Sequence, residues 1–485
     1  MDRAGQAVTL ATIKQLFEKS EDVLISTFIF NGSEVHFVKC DAMVDQQMLY
    51  SVVLPKIENL FNGSTNQSID KTMIEQLPIP EFNPITNKDD VITSVYSGKV
   101  LICFDELQLL YASNIARKPN RNPEDTNLEA LVKGPRDNFI EDLSINIALI
   151  RKRFPSNSLC VEKLEIGKRT KTAVAILYID DIANKGILEE LKRELNNIDT
   201  DIVISADSLM EFINKKNWIL PATHYTGRPD FAIQSLIRGR FLIMVDGTSY
   251  AVMTPVNVTY LLKSAEDFET PVVFGAFERI LRLIGILIGT TLPAFWLALT
   301  LFHQNQLPLQ LLATVVIANR GLPFPAVLEM LFLVIMFEMF REASLRLPSV
   351  LGGTFSVVGG LIIGDAAIRS GITSPAMIVV IAISVVASYT IVNQSLVTMV
   401  SILRIVFILI TAVFGLFGFF MCIYLTVLYI ANMRIFGVPY LNISVDLSWD
   451  NFKKTFFRAS RDKYTKRPGT LNPQDKSRSN NGESK

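Results

Sequence analysis

The chain has 485 residues, with 47 basic and 47 acidic side chains that cancel to a formal charge of zero, and 49% of its residues are hydrophobic. A length of this order holds two or three domains, and a balanced charge gives no field for drawing in nucleic acid. The charge is unevenly placed: the 150 residues from Leu283 to Asn432 carry nine charged side chains and no lysine, which divides the chain into a soluble part and a membrane part.

The opening stretch "MDRAGQAVTLATIKQLF" has no apolar run of signal-peptide length, so the amino-terminal part is expected to stay unexported. Residues 1–115 read as a first α/β subdomain. The run "EVHFVKCDAM" is β-rich and ends in Asp41; "VDQQMLYSVVLPKIENL" then places apolar residues at three- and four-residue intervals, the period of a helix. "GKVLICFD" closes the subdomain with a turn glycine, an apolar strand and Asp105. Residues 116–135 include "ARKPNRNPEDTN", rich in proline, asparagine and charge, and read as a linker.

Residues 136–271 repeat the landmarks. "TAVAILYIDDIAN" gives a strand ending in Asp180, "KGILEELKRELNNI" a helix, and "GRFLIMVD" a glycine, a strand and Asp246. The two strand landmarks stand at offsets of 139 and 141 residues. Nearly one offset for both implies duplication, and two similar α/β subdomains.

Nothing in this half reads as catalytic, cofactor-binding or metal-binding. The chain's three histidines, His36, His224 and His303, have no ligand spacing, and its four cysteines, Cys40, Cys103, Cys160 and Cys422, lie far apart without a CxxC pair. No GxSxG elbow, P-loop or GxGxxG follows a strand. The strand-ending pair Asp180-Asp181 reads as a helix cap sooner than a cation site.

Residues 272–432 read as an all-α multipass membrane domain. A bilayer core requires ~20 apolar residues per helix, which Arg282–Phe302, Pro323–Phe340, Pro375–Val397 and Leu403–Asn432 meet. Leu307–Ala318 is too short to span, and Leu351–Gly364 spans only with Asp365 at its end. Four full spans with two short or re-entrant segments are expected, six crossings being the alternative. Residues 433–485 form a basic tail with eleven Lys/Arg against five Asp/Glu, placed on the cytoplasmic side with its distal part disordered. Membrane lipid is thus one partner.

Three groups stand out in the membrane domain. Gly352, Ser356, Gly360 and Gly364 recur every four residues as a ridge of small residues for close helix packing, and the adjacent Val357, Val358 and Leu361 are candidates for a pore or gate. Asp365 and Arg369, four apart, are a candidate ion pair. Glu329 lies near the middle of its apolar run, a candidate for an ion path or gate, or equally a buried hydrogen-bonded structural group. Glu338, with Arg341 and Glu342 one turn on, reads as a terminal charge, solvated or paired. Arg404 fits a four-span arrangement poorly.

The stretches "KGPRDNFIEDLSINIALIRKRF", "TKTAVAILYIDDIAN", "GRPDFAIQSLIRGRFLIMVDGTSYAVMTPV", "PFPAVLEMLFLVIMFEMFREASLRLP" and "GLIIGDAAIRSGITSPAMIVVIAISVVASYTIVNQSL" closely resemble the A-subunit family of bacterial spore germinant receptors, the GerA type, over roughly residues 10 to 460. Gly227, Val392 and Gln394 depart from the residues usual in that family. The resemblance implies a non-enzymatic subunit in the spore inner membrane, acting with a B subunit resembling amino-acid transporters and a C-subunit lipoprotein to sense nutrients. It further implies a homo-oligomer forming an ion-conducting channel and no cofactor. The alternative reading is a secondary transporter or a transporter-associated subunit, since broken helices and a midplane carboxylate also belong to transporters.

Overall fold

The computed structural model describes residues 8–63, 71–117, 137–213, 220–264, 270–346, 364–441 and 467–477. They form an α/β unit and a helical unit. In the first, β1 (Val23–Phe30) and β2 (Ser33–Cys40) make a hairpin through Asn31-Gly32, both at positive φ (48° and 88°), and Phe30 pairs with Ser33. Asparagine and glycine are the residues that tolerate the two left-handed positions of such a turn. With β3 (Asn83–Pro84), β4 (Lys99–Phe104) and β5 (Leu109–Asn114) they complete a sheet of order β1-β2-β4-β5-β3, every neighbour antiparallel.

A second sheet repeats this arrangement. Strands β6 (Leu159–Ile166), β7 (Thr172–Ile179), β8 (His224–Thr226), β9 (Phe241–Val245) and β10 (Ala251–Thr254) run in the order β6-β7-β9-β10-β8, again antiparallel. The sequence landmarks fall on equivalent strands: "VLICF" lies on β4 and "FLIMV" on β9, while Asp41 and Asp180 follow β2 and β7. The fold class is therefore α/β with two similarly ordered antiparallel sheets.

Both faces of the first sheet are covered. Val100, Ile102 and Phe104 of β4 pack with Val53, Ile57 and Phe61 near and within α2 (Leu54–Gly63), and Leu101 and Cys103 pack with Ile13 of α1 (Leu10–Leu16) and Val91 of α3 (Lys88–Tyr96). A strand covered on both sides buries successive residues, so β4 is one apolar run. In the second half α4 (Leu143–Arg153) is capped by Asp142. The next helix, α5 (Lys185–Asn196), is capped by Asn184 and buries Ile187, Leu188, Leu191 and Leu195, the expected helical spacing. Helix α6 (Pro229–Leu236) packs beside β9.

The carboxy-terminal segment departs from the disorder expected of it. Residues 467–477 lie against the second sheet's subdomain: Arg467 Nε donates to the Ile237 carbonyl (3.1 Å), the Gln474 amide donates to Ile182 (3.0 Å), and Leu471 is buried. One apolar side chain, one side-chain hydrogen bond and one backbone hydrogen bond order a stretch whose composition alone lacks a reason to fold. The unit boundary also falls at Pro255/Val256, earlier than the expected residue 272. The expected linker lies almost wholly outside the described residues.

The helical unit contains α7 (Val272–Phe302), α8 (Leu309–Asn319), α9 (Ala326–Arg346), α10 (Gly364–Arg369), α11 (Pro375–Ser388) and α12 (Gln394–Asn432). Helices α7 and α12 are long and apolar enough to cross a bilayer. Two expected spans are corrected. Pro375–Val397 is not one helix: α11 ends at Ser388, and Asn393 caps α12 by accepting from the Leu396 amide (3.1 Å). The fourteen residues of α11 reach about 21 Å, short of a ~30 Å hydrocarbon core. Leu403–Asn432 is not one straight span either. Gly415 takes φ 60° and ψ −142°, and the rings of Phe407 and Phe419 then meet at 6.3 Å, where a straight helix would separate them by about 18 Å. A Cβ on Gly415 would lie 2.9 Å from the Phe302 ring, so only glycine fits this reversal.

Candidate functional site: a buried charged joint among apolar helices

The joint begins with a missing donor. Pro293 lies inside α7 and has no N–H, so the carbonyl of Gly289, four residues earlier, loses its helical partner. Two side chains from other helices supply replacements: Arg404 Nε on α12 donates to it at 2.7 Å and Ser384 Oγ on α11 at 2.9 Å. The rest of the Arg404 guanidinium is also engaged. Its Nη2 donates to Ser388 Oγ (2.5 Å) and the Ser384 carbonyl (3.3 Å), at the carbonyl-rich end of α11 where a cation is favoured. Its Nη1 meets Glu338 Oε1 on α9 at 3.3 Å. The second oxygen of Glu338 pairs with Arg341 (2.8 Å), which in turn donates to Ser401 Oγ (2.7 Å). Arg404 is 1% exposed.

Small residues make room for this approach. A Cβ on Gly289 would stand 2.9 Å from Ser388 Oγ and 3.1 Å from Val400 Cγ1; one on Gly285 would stand 2.6 Å from the Ala387 carbonyl. Gly285 and Gly289 thus form a GxxxG pair at a close helix approach.

Glu329, Asp365, Arg369 and Gly364, also singled out from sequence, take no part in the hydrogen bonds of this joint. Glu329 is 2% exposed, and its Oε1 accepts from Thr373 Oγ1 (2.6 Å), the Ser374 amide (2.6 Å) and Ser374 Oγ (3.1 Å). Ser374 is the N-cap of α11, so this carboxylate sits on the positive end of a helix as a bound anion would. Asp365 and Arg369 form a 2.7 Å ion pair on an exposed part of α10. At Gly364 a Cβ would meet nothing within 4 Å among the described residues. Gly352, Ser356, Gly360, Val357, Val358 and Leu361 lie outside the described residues. Sequence reasoning passed over Gly285, Gly289, Pro293, Glu338, Arg341 and Arg404 as a group. The signals were present: a GxxxG, a proline four residues beyond it, and an arginine inside the longest apolar run.

The groups of the joint hydrogen-bond to one another and tie four helices together. Among the described residues no three His, Cys, Asp or Glu are grouped to hold a metal ion. The four cysteines are free and buried. Burial pushes the Cys103 and Cys160 thiols up to about 11, away from the thiolate form that nucleophilic chemistry uses.

Comparison with known proteins covers most of the chain. The family described as Bacillus/Clostridium GerA spore germination protein matches residues 11–470. Spore germination protein XA of Bacillus anthracis is 39% identical over 452 residues, covering 92% of both chains. Spore germination protein KA of Bacillus subtilis (strain 168) is 30% identical, over 97% of this chain and 88% of its own. Spore germination protein GerLA of Bacillus cereus is 31% identical, over 89% and 88%. The crystal structure of the N-terminal domain of the A subunit of the Bacillus megaterium spore germinant receptor GerK3 aligns with a TM-score of 0.42 and 23% identity, covering 53% of this chain and 98% of that one. The chain belongs to the GerA family of spore germination proteins.

Proposed function

We propose that this chain is the A subunit of a nutrient-germinant receptor, a non-enzymatic multipass protein of the inner spore membrane. It associates with copies of itself to form an ion-conducting channel, and works with a B subunit resembling amino-acid transporters and a C-subunit lipoprotein. The observation that carries the membrane and signalling parts is the Arg404–Glu338–Arg341 group, its Arg404 buried and the other two half-buried, among helices whose outer sides are apolar. Charge retained inside such a bundle is expensive and marks a moving or conducting element.

The run of the helices supports an even number of crossings. Gly289 faces Arg404 and Phe302 faces Gly415, so α7 and the first part of α12 run the same way. Helix α9 opposes α12, because Glu338 meets Arg404 while Arg341 meets Ser401; α11 opposes α7, because Ser384 and Ser388 meet Gly289 while Ala387 meets Gly285. The part of α12 beyond Gly415 turns back. Helix α7 and the last part of α12 therefore run in opposite directions, which an even number of crossings requires. The two ends of the helical unit meet, since the Val258 amide donates to the Tyr440 carbonyl at 3.1 Å. Amino-terminal domain and carboxy-terminal tail then share the cytoplasmic side.

The test is reconstitution of the full chain in sealed vesicles with a gradient of monovalent cation. A channel passes ions downhill without moving nutrient in fixed proportion; coupled nutrient uptake would replace this reading with a transporter. Val358→Ala and Val357→Ala, at the proposed hydrophobic gate, should leak without nutrient.

A further inference from the structure

We propose that Arg404 is the latch of a proline hinge: by occupying the carbonyl that Pro293 frees, it holds α7 unbent and fixes it to α11, α12 and α9 as one joint. Proline inside a helix both removes a bond and crowds the carbonyl four residues back, which makes that point the natural place to bend. In an apolar bundle a bare carbonyl is costly, so the conformation that satisfies it is strongly preferred. Here neither donor belongs to α7. Arg404 and Ser384 lie on other helices, so a change of bend at Pro293 would move the Gly289 oxygen relative to Arg404 Nε, now 2.7 Å away.

The guanidinium suits this role because its donors are spread in one plane. It addresses Gly289 from Nε, Ser388 and Ser384 from Nη2, and Glu338 from Nη1 at once. A lysine ammonium is a point donor and cannot span these positions. Glu338 is shared with Arg341, so the carboxylate keeps a partner when Arg404 lets go. Gly289 likewise keeps Ser384. When the Gly289 bond opens, Arg404 keeps Ser388, the Ser384 carbonyl and Glu338, so no charge is stranded in either arrangement, as a two-state element requires. Arg404 is a positioning residue in this scheme; its consequence for signalling rests on the receptor reading, while the latch itself does not.

The test uses the full chain and the variants Arg404→Met, Pro293→Ala and their combination. Alanine at 293 restores the missing N–H and so removes the need that Arg404 meets. Thermal unfolding in detergent should show Arg404→Met lowering the midpoint by about 5 °C with Pro293 present, and by less than half as much with Pro293→Ala. In spores with matched amounts of the chain, Arg404→Met should raise nutrient-free germination roughly tenfold, and Pro293→Ala should return it to the wild-type level. If Arg404→Met accumulates only in the Pro293→Ala background, that rescue also supports the latch. Equal midpoint losses in both backgrounds, or failure to accumulate in both, overturns it. Coupled midpoints with unchanged nutrient-free germination overturn the positioning role. Absence of any nutrient response from the wild-type chain overturns the receptor reading, and the thermal coupling still decides the latch.

Discussion

Arg151 of α4 grips Asp22 with two guanidinium bonds of 2.8 Å each, Nε to Oδ2 and Nη2 to Oδ1, joining the helix of the second sheet's subdomain to the start of β1 in the first. Both side chains are buried, at 0% and 5% exposure. Arg151 also lies 4.2 Å over the Tyr96 ring and donates to Ser20 and the Ser156 carbonyl. Removing either charged partner leaves the other buried alone, so Arg151→Met or Asp22→Asn should destabilise the full chain by about 3–5 kcal/mol. Chemical unfolding followed by tryptophan fluorescence and circular dichroism would show it. A loss under about 1 kcal/mol would mean that the seam tolerates opening.

His224 on β8 gives a pH dependence with a definite sign. Burial lowers its pKa to about 4, against a hydrogen bond to the Tyr225 carbonyl that favours the charged ring. The unfolded chain takes up this proton near pH 6.5, the folded one only near 4. Stability is therefore fully present above pH 6.5, declines as pH falls toward 4, and is lost below it, by about 3 kcal/mol in all. His224→Gln should flatten this slope across pH 6.5–4 in the same unfolding assay.

Glu329 separates an acceptor from a charge. Its Oε1 accepts three hydrogen bonds at the start of α11. Glu329→Gln keeps an acceptor there, and should leave abundance and nutrient response near wild type. Glu329→Ala strands the Ser374 amide and the Thr373 hydroxyl, and should cost about 1–3 kcal/mol. Membrane-fraction abundance and ion release from spores measure the two. Normal abundance with altered ion release in Glu329→Gln would assign this carboxylate to the ion path.

Gly415 is a backbone requirement. At φ 60° and ψ −142° a side chain is strained, and its Cβ would strike the Phe302 ring. Gly415→Ala should cost roughly 2–4 kcal/mol from strain and overlap together. Phe302→Ala in the same chain should recover only the overlap. Midpoints of thermal unfolding for the three variants give the partition, and full recovery would show that backbone conformation adds nothing.

Leu471 tests the carboxy-terminal strap. Leu471→Asp places a charge in a site 1% exposed, and should release residues 467–477 to fast amide exchange. Protection of the Gln474 amide, bonded to Ile182, is the direct readout.

The sequence by itself determined what is written in local periodicity and spacing. The division into an α/β unit and an apolar helical unit follows from where charge is absent. The repeated sheets follow from β4 and β9, whose unbroken apolar runs before Asp105 and Asp246 need burial on both faces. Helix α5 was legible because one side of it is apolar at helical intervals. What tertiary structure decided were partnerships between distant residues. Arg404 looked misplaced in an apolar run because its acceptor is a carbonyl 115 residues earlier, exposed by a proline that sequence reading treats only as a helix breaker. Gly415 gave no sign of reversing α12, since glycine in an apolar run suits close packing equally well; the Phe302 ring and the Phe407–Phe419 contact fix the turn. The strap at 467–477 looked disordered because its reason to fold lies on the second subdomain. Propensity and pattern act over a few residues, whereas a buried charge or a freed carbonyl is satisfied by whatever the fold brings within 3 Å or so.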